Sequence, residues 1–404
     1  MRQKLPSQTQ LMLPLLAAIA ARGGQAAPRD LYGELADEFG LADDVRAEMA
    51  VDARGRRFKT FERRVRWTRQ TAVEKGLVSK EARGRWELTD QANHVLQNAR
   101  RGTIVTVFET EHGVALWANV EDAIGIIEPS SIDLIFTSPP YPLLEKKKAY
   151  GNLPAREWVD WMVQLCDGWR ELLTPTGSIM LNVGPTWNRG VPTQSTYIER
   201  LVVALEDELG LHLCQRLYWQ NPTKLPQPRE WVAIQRVRVK PQVEPILWLS
   251  PNPRAAANNR NVLVPYSPRT RRDAGASAIE RRPSGIDVNR RSFAKDNGGA
   301  IPGDVLRVSN AVSNSTYHRA LRATNGIIHP AMFPHEIVEF AVKLTTEPKQ
   351  RVADMFFGSG VVGEVCERLD REWVGVERSL TYLEGAMVRF PGARSIMKLL
   401  EPAA

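Results

Sequence analysis

The first 95 residues place apolar positions at the spacing of short helices, interrupted by glycine and proline. In the third of these helices, apolar and small residues recur every three or four positions and would form one buried face. Two short apolar stretches then flank a charged tip that contains Gly84, which is typical of a β-hairpin. The expected helices are 11–22, 28–39 and 59–75, and the expected hairpin strands are 77–78 and 85–89.

From about residue 111, short apolar runs alternate with amphipathic stretches. The run 132–136 is continuously apolar, as in a strand that is buried on both faces. Strands that alternate with helices predict an α/β domain, with a parallel sheet and helices on both faces. The other expected strands are 177–183, 212–219, 243–249, 351–356 and 373–377, and the expected helices are 156–173, 195–209, 335–345, 361–369 and one from 381. Residues 250–325 lose the periodicity, and an irregular segment of this length is typical of a functional region.

Composition narrows the class of protein. Of 404 residues, 43% are hydrophobic and 25% charged, the balance of a globular protein, and no apolar run reaches the ~20 residues of a membrane helix. Residues 11–21 resemble a secretory signal, but the helical pattern continues directly after them, which favours the first helix of a folded domain. The three cysteines are far apart without a CxxC pair. This spacing argues against a disulfide framework and against a metal site. We therefore expect all three cysteines to lie in the core of a cytoplasmic protein.

The net charge of +8 is concentrated in two stretches. Residues 54–69 hold eight basic residues and one acid, and residues 254–291 hold nine arginines and three acids. Two basic stretches on an otherwise acidic chain indicate a polyanionic partner, most simply nucleic acid, and a solvated charged face is the alternative. The candidate DNA contacts are Arg63, Arg64, Arg66 and Arg69 on the predicted basic helix, and Arg269, Arg271, Arg272, Arg281 and Arg282 in the irregular segment.

Residues 354–360 (Asp-Met-Phe-Phe-Gly-Ser-Gly) lie at an expected junction between a strand and a helix. Gly358 and Gly360 permit a tight turn and a close approach of the backbone to a ligand, and the following helix presents free N–H groups. Glu377 ends the next strand, where a carboxylate can accept hydrogen bonds from both hydroxyls of a ribose. This order predicts a nucleoside-containing cofactor. The alternative is an ordinary tight turn with Glu377 at the surface.

A second motif, Thr-Ser-Pro-Pro-Tyr at residues 137–141, directly follows the strand 132–136. Two prolines fix the backbone and remove two N–H donors, so the Ser138 hydroxyl and the carbonyls of Ser138 and Pro139 form a cluster of acceptors. Tyr141 adds an aromatic face on which a planar base can stack. Such a site suits an exocyclic amino group on a planar base, which donates two hydrogen bonds while the base stacks on the ring. The alternative is a proline-rich loop without chemistry.

With both motifs, the chain resembles the amino-methyltransferases of DNA that use S-adenosylmethionine. The catalytic motif comes first and the cofactor motif last, which is the order of the family's β group. The stretches 218–226, 282–285, 293–302 and 329–334 resemble cytosine-N4 enzymes of the PvuII type, and the resemblance covers about residues 110–395. Residues 1–95 resemble the winged-helix domain found at the N-terminus of Mrr-type restriction proteins, because a basic helix precedes the Gly84-Arg85-Trp86 wing.

The resemblance implies a winged-helix domain over 1–95, a linker over 96–110, and a Rossmann-like methyltransferase domain over 111–404 with a target-recognition region at about 221–325. It assigns the flipped base to Ser138, Pro139, Pro140 and Tyr141, and a DNA contact to Lys224. It assigns S-adenosylmethionine to Asn119, His329, Pro330, Phe333, Asp354, Phe356, Gly358, Ser359, Gly360 and Glu377. Many relatives carry an acid near the adenine ring where this chain has Asn119, whose side-chain carbonyl supplies an acceptor instead.

The implied reaction methylates cytosine N4 in double-stranded DNA. Hydrogen bonds from the base amine to Ser138 and the Pro139 carbonyl would free the nitrogen lone pair for attack on the sulfonium methyl group. No Pro-Cys nucleophile is present, which excludes carbon-5 methylation. Adenine N6 is the alternative substrate, because the serine form also occurs in adenine enzymes, and a non-catalytic winged-helix regulator is the second alternative. A cognate restriction endonuclease is the other partner that the family suggests.

Overall fold

The structure of the protein is a computed structural model that describes residues 5–20, 22–52, 54–80, 84–89, 92, 98–99, 101–142, 153–268, 279–281, 287–289, 296–310, 315–324 and 326–400. The chain forms two compact units. The first comprises residues 1–128, 312–332 and 353–404, and the second comprises residues 129–311 and 333–352.

The predicted helices lie within a few residues of their expected bounds, whereas the three helices at Asp43–Arg46, Val120–Ala123 and Thr316–Ala323 were not predicted. The α-helices are α1 (Gln8–Ala20), α2 (Pro28–Glu38), α3 (Asp43–Arg46), α4 (Thr60–Glu74), α5 (Val120–Ala123), α6 (Ala155–Leu172), α7 (Tyr197–Leu209), α8 (Thr316–Ala323), α9 (His335–Thr345), α10 (Val361–Arg368) and α11 (Leu380–Met387). Short 3-10 turns lie at Ile124–Ile126 and Asn259–Val262, and a π-helical turn lies at Glu230–Ile234.

Sixteen strands lie in the described residues. They are β1 (Gln25–Ala26), β2 (Met49–Val51), β3 (Arg57–Lys59), β4 (Trp86–Glu87), β5 (Ile104–Glu109), β6 (Gly113–Trp117), β7 (Ile132–Thr137), β8 (Leu173–Asn182), β9 (His212–Gln220), β10 (Val243–Ser250), β11 (Ile279–Arg281), β12 (Asp287–Asn289), β13 (Val305–Arg307), β14 (Arg351–Asp354), β15 (Glu372–Glu377) and β16 (Arg394–Leu400).

The N-terminal part of the first unit has the predicted basic helix and part of the predicted hairpin. Helix α4 buries the expected face, which consists of Phe61, Val65, Thr68 and Ala72. Val78 and Leu88 form an antiparallel bridge, and β4 pairs with β1. A second hairpin, formed by β2 and β3 directly before α4, was not predicted, because its strands are only three residues long and lack a clear alternating pattern.

The rest of the first unit carries strands in the order β15-β6-β5-β16, next to the last two residues of β14. Strand β6 is parallel to β15 and antiparallel to β5. The expected linker at 96–110 is therefore wrong for residues 104–109, which form β5. Strand β5 is buried on both faces, so its residues, Ile-Val-Thr-Val-Phe-Glu, give no alternation that would separate a strand from an apolar connection.

The second unit carries strands in the order β13-β9-β10-β8-β7, next to the first two residues of β14. Strand β7 is parallel to β8, whereas β10 is antiparallel to both β8 and β9. The sheet is thus mixed rather than parallel throughout, because the segment between β9 and β10 holds only one π-helical turn and no α-helix that could carry the chain back for a parallel pairing.

Two of the three cysteines that were predicted to lie in the core are buried there. Cys166 and Cys366 are buried, and burial raises the pKa of both thiols. Cys214 was also predicted in the core, but it is half-buried, because the first half of β9 is only partly covered. None of the helices in the described part of the chain combines the length and the apolar character that a bilayer crossing requires.

Candidate active site

The glycine turn of the first unit links β14 to α10. Asp354 ends the strand, is buried, and accepts a hydrogen bond from the Phe356 backbone N–H at 3.1 Å through Oδ1. Gly358 and Gly360 both adopt left-handed backbone conformations, with φ of 51° and 79°. A residue with a Cβ would pay a steric penalty of about 1–2 kcal/mol there. Both glycines were predicted to permit a tight turn into a helix, and their positive φ angles confirm this prediction.

The two phenylalanines of this turn have different environments. Phe357 stacks on Trp373 with 5.2 Å between ring centroids, and Gly375 makes room for it, because a Cβ there would lie 2.3 Å from the Phe357 ring. Phe356 is only half-buried. The buried stack therefore anchors the turn, whereas the Phe356 ring is partly exposed.

Both carboxylate oxygens of Glu377 accept hydrogen bonds from the backbone. The N–H of Gly358 donates to Oε2 at 2.9 Å, and the N–H of Ser379 donates to Oε1 at 2.8 Å. Burial raises the pKa of this carboxyl, and the backbone donors oppose the shift. The Arg378 backbone N–H is a third donor, and because a carboxylate has about four lone-pair positions, Glu377 can still accept from a ribose hydroxyl.

Asn119 lies at the carboxyl end of the strand next to Glu377. Trp117 of β6 pairs with Glu377 in parallel register, and Asn119 follows two residues later. Its side-chain amide donates to Asp122 Oδ2 at 3.3 Å, which leaves the side-chain carbonyl directed elsewhere as an acceptor. Asp122 thus places a carboxylate beside Asn119, the position where many relatives carry an acid. The sequence did not single out Asp122.

His329 lies against the glycine turn. A Cβ on Gly358 would be 3.1 Å from the imidazole, and Tyr382 packs edge-on against the ring at 4.4 Å between centroids. Burial lowers the His329 pKa, so the ring is neutral near pH 7. Pro330, also assigned to the cofactor, is exposed.

Sequence analysis missed Arg389, which ties several parts of the first unit together. Its guanidinium donates to the Ser359 carbonyl at 2.7 Å and forms an ion pair with Glu364 of α10. It also lies over the Tyr317 ring, with 4.2 Å to the centroid. Ser359 itself is buried. A lone arginine in a C-terminal helical stretch gives no sequence signal for this role.

The residues of the first unit fit a nucleoside cofactor with a charged tail. The turn offers backbone close to a ligand, Phe356 offers an apolar surface, and Glu377 offers lone pairs for a ribose. Within the described residues, no group of three or more His, Cys, Asp and Glu side chains is placed to hold a metal ion.

The second unit holds the Ser-Pro-Pro-Tyr motif at the end of β7. Ser138 Oγ donates to the Asn182 carbonyl at 3.0 Å and lies 3.2 Å from the Tyr141 hydroxyl. The Tyr141 hydroxyl donates to Glu244 Oε2 at 3.0 Å. Burial and the Glu244 charge raise the pKa of Tyr141 well above its usual range. Asn182 and Glu244 were not predicted, because both come from strands that are distant in sequence.

Aromatic side chains fix the geometry around the two prolines. The Trp158 indole N–H donates to the Pro140 carbonyl at 2.6 Å, and Trp158 packs edge-on against Tyr197. The Tyr197 hydroxyl donates to the Gly184 carbonyl. Pro139 is buried. These contacts fix the turn, and the Pro140 carbonyl is already used inside the protein.

Phe333, assigned to the cofactor, packs edge-on against Phe136 of β7 with 5.4 Å between ring centroids. This contact gives Phe333 a packing role in the second unit. Its assignment to the cofactor stays a prediction.

Two of the four arginines predicted to contact DNA from α4 point into the protein. Arg64 donates to the carbonyls of Leu5 and Pro6, at 3.2 and 3.0 Å, and Arg69 donates to the Ser79 carbonyl at 3.0 Å. These two side chains hold the N-terminal segment and the start of the hairpin. Sequence analysis could not separate them from their outward neighbours, because all four lie in one basic run.

The other two arginines of α4 lie at the surface. The Arg63 guanidinium stacks on Phe58 at 4.0 Å and lies 5.8 Å from the Trp67 ring, and Trp67 is 56% exposed. Arg66 lies 3.6 Å from a Glu62 oxygen. This exposed face therefore combines cationic and aromatic groups, which suits a nucleic acid.

The hairpin formed by β2 and β3 extends this basic face. Asp52 organises its turn by accepting from the backbone N–H groups of Arg54 and Arg56, both at 2.9 Å, and these bonds lower the Asp52 pKa. The Arg54 and Arg57 side chains are exposed. The hairpin thus presents cations on a fixed turn.

In the predicted recognition region, Lys224, a predicted DNA contact, pairs with an acid of the protein. Its ammonium forms an ion pair with Glu244 Oε1 at 2.5 Å. Arg269, Arg271, Arg272 and Arg282 lie outside the described residues, and only the backbone of Arg281 is described, in β11. A basic arm at 229–240, which sequence analysis did not single out, is exposed over most of its length, and its basic residues are Arg229, Arg236, Arg238 and Lys240.

Two protein families match parts of this chain. The family described as DNA methylase matches residues 132–388, and the family described as Mrr N-terminal domain matches residues 9–98. The type II methyltransferase M.PvuII of Proteus hauseri is 37% identical over 278 residues, which cover 67% of this chain and 82% of that protein. The type II methyltransferase M.BglII of Bacillus subtilis is 25% identical over 261 residues, 64% of this chain and 63% of that protein.

A solved structure, the cytosine-N4-specific PvuII DNA methyltransferase, superimposes with a TM-score of 0.58 at 31% identity, and the match covers 71% of this chain and 89% of that one. This similarity confirms the Rossmann-like methyltransferase fold with its mixed central sheet. The family matches confirm the two resemblances that the motifs indicated. The chain therefore belongs to the DNA methylase family, the methyltransferases of DNA that use S-adenosylmethionine.

Proposed function

We propose that this protein is a site-specific DNA methyltransferase that transfers the methyl group of S-adenosylmethionine to the exocyclic N4 of cytosine in duplex DNA. The observation that carries the proposal is the cluster of oxygens around Ser138 and Tyr141 at the end of β7. A cluster of acceptors beside an aromatic ring suits an amino group on a flipped planar base. The matched solved structure is described as a cytosine-N4-specific methyltransferase, and the relative M.PvuII is 37% identical to this chain. Both similarities support cytosine as the base.

The cofactor, when bound, supplies an electrophilic methyl group on a sulfonium. The residues of the glycine turn and Glu377 bind and orient it, with Asn119 and His329 beside them. Ser138, Tyr141 and the Pro139 carbonyl orient the base amine so that its lone pair leaves the plane of the ring. Most of the rate then comes from positioning and from electrostatics, because no covalent enzyme intermediate is needed.

DNA is held by exposed basic residues outside the motif. The arm at 229–240 belongs to the recognition region, and the arginines predicted to contact DNA at 269–282 belong to the same region of the sequence. The N-terminal domain adds affinity through Arg63, Arg66 and the hairpin formed by β2 and β3. A restriction endonuclease that acts on the same site is the partner that the type II relatives suggest, and the cytoplasm is the compartment where both would meet DNA.

Two other functions are tested by the same measurement. Purified protein is incubated with S-adenosylmethionine and DNA that contains many candidate sites, and the nucleosides are analysed by mass spectrometry. N4-methyldeoxycytidine is the expected product. N6-methyldeoxyadenosine would transfer the assignment to adenine, and the absence of any methylated nucleoside would favour the DNA-binding regulator.

A further inference from the structure

Glu244 contacts the catalytic motif from a strand that the motif does not include. It lies on β10, where it pairs with Trp219 of β9, and only 13% of its side chain is exposed. One carboxylate oxygen accepts from the Tyr141 hydroxyl at 3.0 Å, and the other accepts from the Lys224 ammonium at 2.5 Å. The carboxylate is therefore held at both oxygens.

The fold makes room for this contact. Gly184 follows β8, and a Cβ at that position would lie 2.5 Å from the Tyr141 ring and 3.2 Å from Glu244 Oε2. The Pro245 carbonyl, next to Glu244, accepts from the Val183 N–H at 3.0 Å and from the Asn182 amide at 3.3 Å. The end of β8 and the start of β10 thus fix Glu244 relative to Tyr141.

The hydrogen atoms of the two hydroxyl groups can be assigned from these contacts. Tyr141 has one hydrogen and three acceptors within reach, Glu244 Oε2 at 3.0 Å, Ser138 Oγ at 3.2 Å and Asn182 Oδ1 at 3.5 Å. The carboxylate is the closest of the three and is charged, so it takes the hydrogen. The Ser138 hydrogen points to the Asn182 carbonyl at 3.0 Å. Ser138 Oγ and Tyr141 Oη, 3.2 Å apart, then present lone pairs only.

This orientation matters for an amine that must attack with its own lone pair. A base amino group donates two hydrogen bonds, and a pair of acceptors can receive them. A hydroxyl that donated to the amine nitrogen would occupy the same lone pair that has to reach the methyl group. Directing the Tyr141 hydrogen away from the base therefore keeps the nucleophile free.

We propose that Glu244 is a positioning residue for methyl transfer, which takes the Tyr141 hydroxyl hydrogen so that Tyr141 meets the base amine as an acceptor. The inference rests on the proposed function, since it needs an exocyclic amine as substrate. It does not depend on the choice between cytosine N4 and adenine N6, because both amines donate two hydrogens and attack with one lone pair.

The test is a double-mutant cycle in the full-length protein with Glu244→Gln, Tyr141→Phe and both together. The matched control is Glu208→Gln, at an exposed position of α7. Single-turnover methyl transfer is measured at saturating DNA and S-adenosylmethionine. Glu244→Gln should lower the rate about 10- to 100-fold, the range for a hydrogen bond to a charged group, with KM for both substrates little changed. In the Tyr141→Phe background the same substitution should change the rate by less than about 2-fold.

Additive effects in the cycle would overturn the proposal, because Glu244 would then act independently of the Tyr141 hydroxyl. If Glu244→Gln does not fold, Glu244→Asp provides the second variant, since it keeps the charge but withdraws the acceptor by one methylene group. Glu244→Asp should also lower the rate when residue 141 is tyrosine, and should leave the rate unchanged in the Tyr141→Phe protein. An unchanged rate in either folded variant would likewise refute the role.

A second readout separates this inference from the proposed function, because it needs no activity. In protein labelled with ¹³C at the tyrosine ζ carbon, the Tyr141 signal is identified by its loss in Tyr141→Phe. Glu244→Gln should shift that signal and Glu208→Gln should not. A shift in a protein that methylates no DNA would refute the proposed function and retain the contact. An unshifted signal in an active enzyme would refute the Glu244 inference and retain the function.

Discussion

The backbone N–H of Gly358 donates a hydrogen bond to Glu377 Oε2 at 2.9 Å, so the turn after β14 is joined directly to the acid that ends β15. This bond couples two residues that are nineteen positions apart and that we propose to bind the cofactor. In that proposal the turn lies beside the cofactor tail and the acid accepts from the ribose. Loss of either partner should therefore affect cofactor binding more than it affects folding.

Replacing Glu377 with glutamine should weaken S-adenosylmethionine binding about 10- to 100-fold. The amide retains one acceptor, but it loses the charge and the second acceptor that a ribose needs, and hydrogen bonds to charged groups contribute about 1.5–3 kcal/mol. Isothermal titration calorimetry measures the change. Glu111→Gln, at an exposed position before β6, is the control and should bind normally. Equal affinity in the wild type and Glu377→Gln would contradict the assignment.

Cofactor affinity should also rise with pH. Burial raises the pKa of Glu377 above its usual 4.5, and the ionised carboxylate accepts from ribose hydroxyls more strongly than the protonated acid does, so binding should strengthen as pH rises through the raised pKa and then level off. The sign for stability is opposite: the free protein should lose stability as pH rises through this pKa, because the native state binds the proton more tightly than the unfolded state. Calorimetry between pH 5 and 8 tests both trends, and Glu377→Gln should remove them.

Gly358→Ala should destabilise the protein and weaken cofactor binding. Its φ of 51° costs a residue with a Cβ about 1–2 kcal/mol, and the added Cβ would lie 3.1 Å from the His329 ring. Gly190→Ala is the matched control, because φ there is 74° and no atom lies within 4 Å of the added Cβ. Thermal unfolding should show a loss in both variants, with the larger loss in Gly358→Ala. Only Gly358→Ala should lose cofactor affinity.

Arg389→Met should lower the free energy of unfolding by about 2 kcal/mol. The arginine is 5% exposed and pairs with Glu364, which is 35% exposed, so the loss should fall below the ~3–5 kcal/mol of a fully buried pair. Urea unfolding measures the change. Arg368→Met, at an exposed position of α10, should cost less than about 0.5 kcal/mol. A loss of the same size in both variants would show that Arg389 does not support the turn.

Neutralising Arg54 and Arg57 should weaken DNA binding and flatten its dependence on salt. If both contact phosphates, the slope of log affinity against log salt should fall by about 2, since each contact contributes about 0.9. The control is the pair Lys75→Ala and Arg200→Ala, which removes the same charge from other exposed positions. An unchanged slope in the hairpin variant would exclude the hairpin formed by β2 and β3 from the DNA contact.

Local pattern was enough for most of the fold and for the two motifs. Helix α4 lies where the spacing of Phe61, Val65, Thr68 and Ala72 predicted it, because one buried face repeats every 3.6 residues. The positive φ of Gly358 and Gly360 was also predictable, since few other residues adopt it cheaply. Strand β5 was taken for a linker, because a strand buried on both faces carries no alternation.

The sequence by itself determined which residues are chemically able to act: Ser138 and Tyr141 as hydroxyls on a proline-fixed turn, and Glu377 as an acid after a glycine turn. These properties are local, so composition and order along the chain reveal them. Only the tertiary structure decided which way hydrogen atoms and charges point. Glu244 reaches Tyr141 from β10, and Arg64 turns inward while Arg63 turns out. Contacts between distant segments depend on strand register and on helix packing, and the residues next to each position in the sequence do not determine either of these.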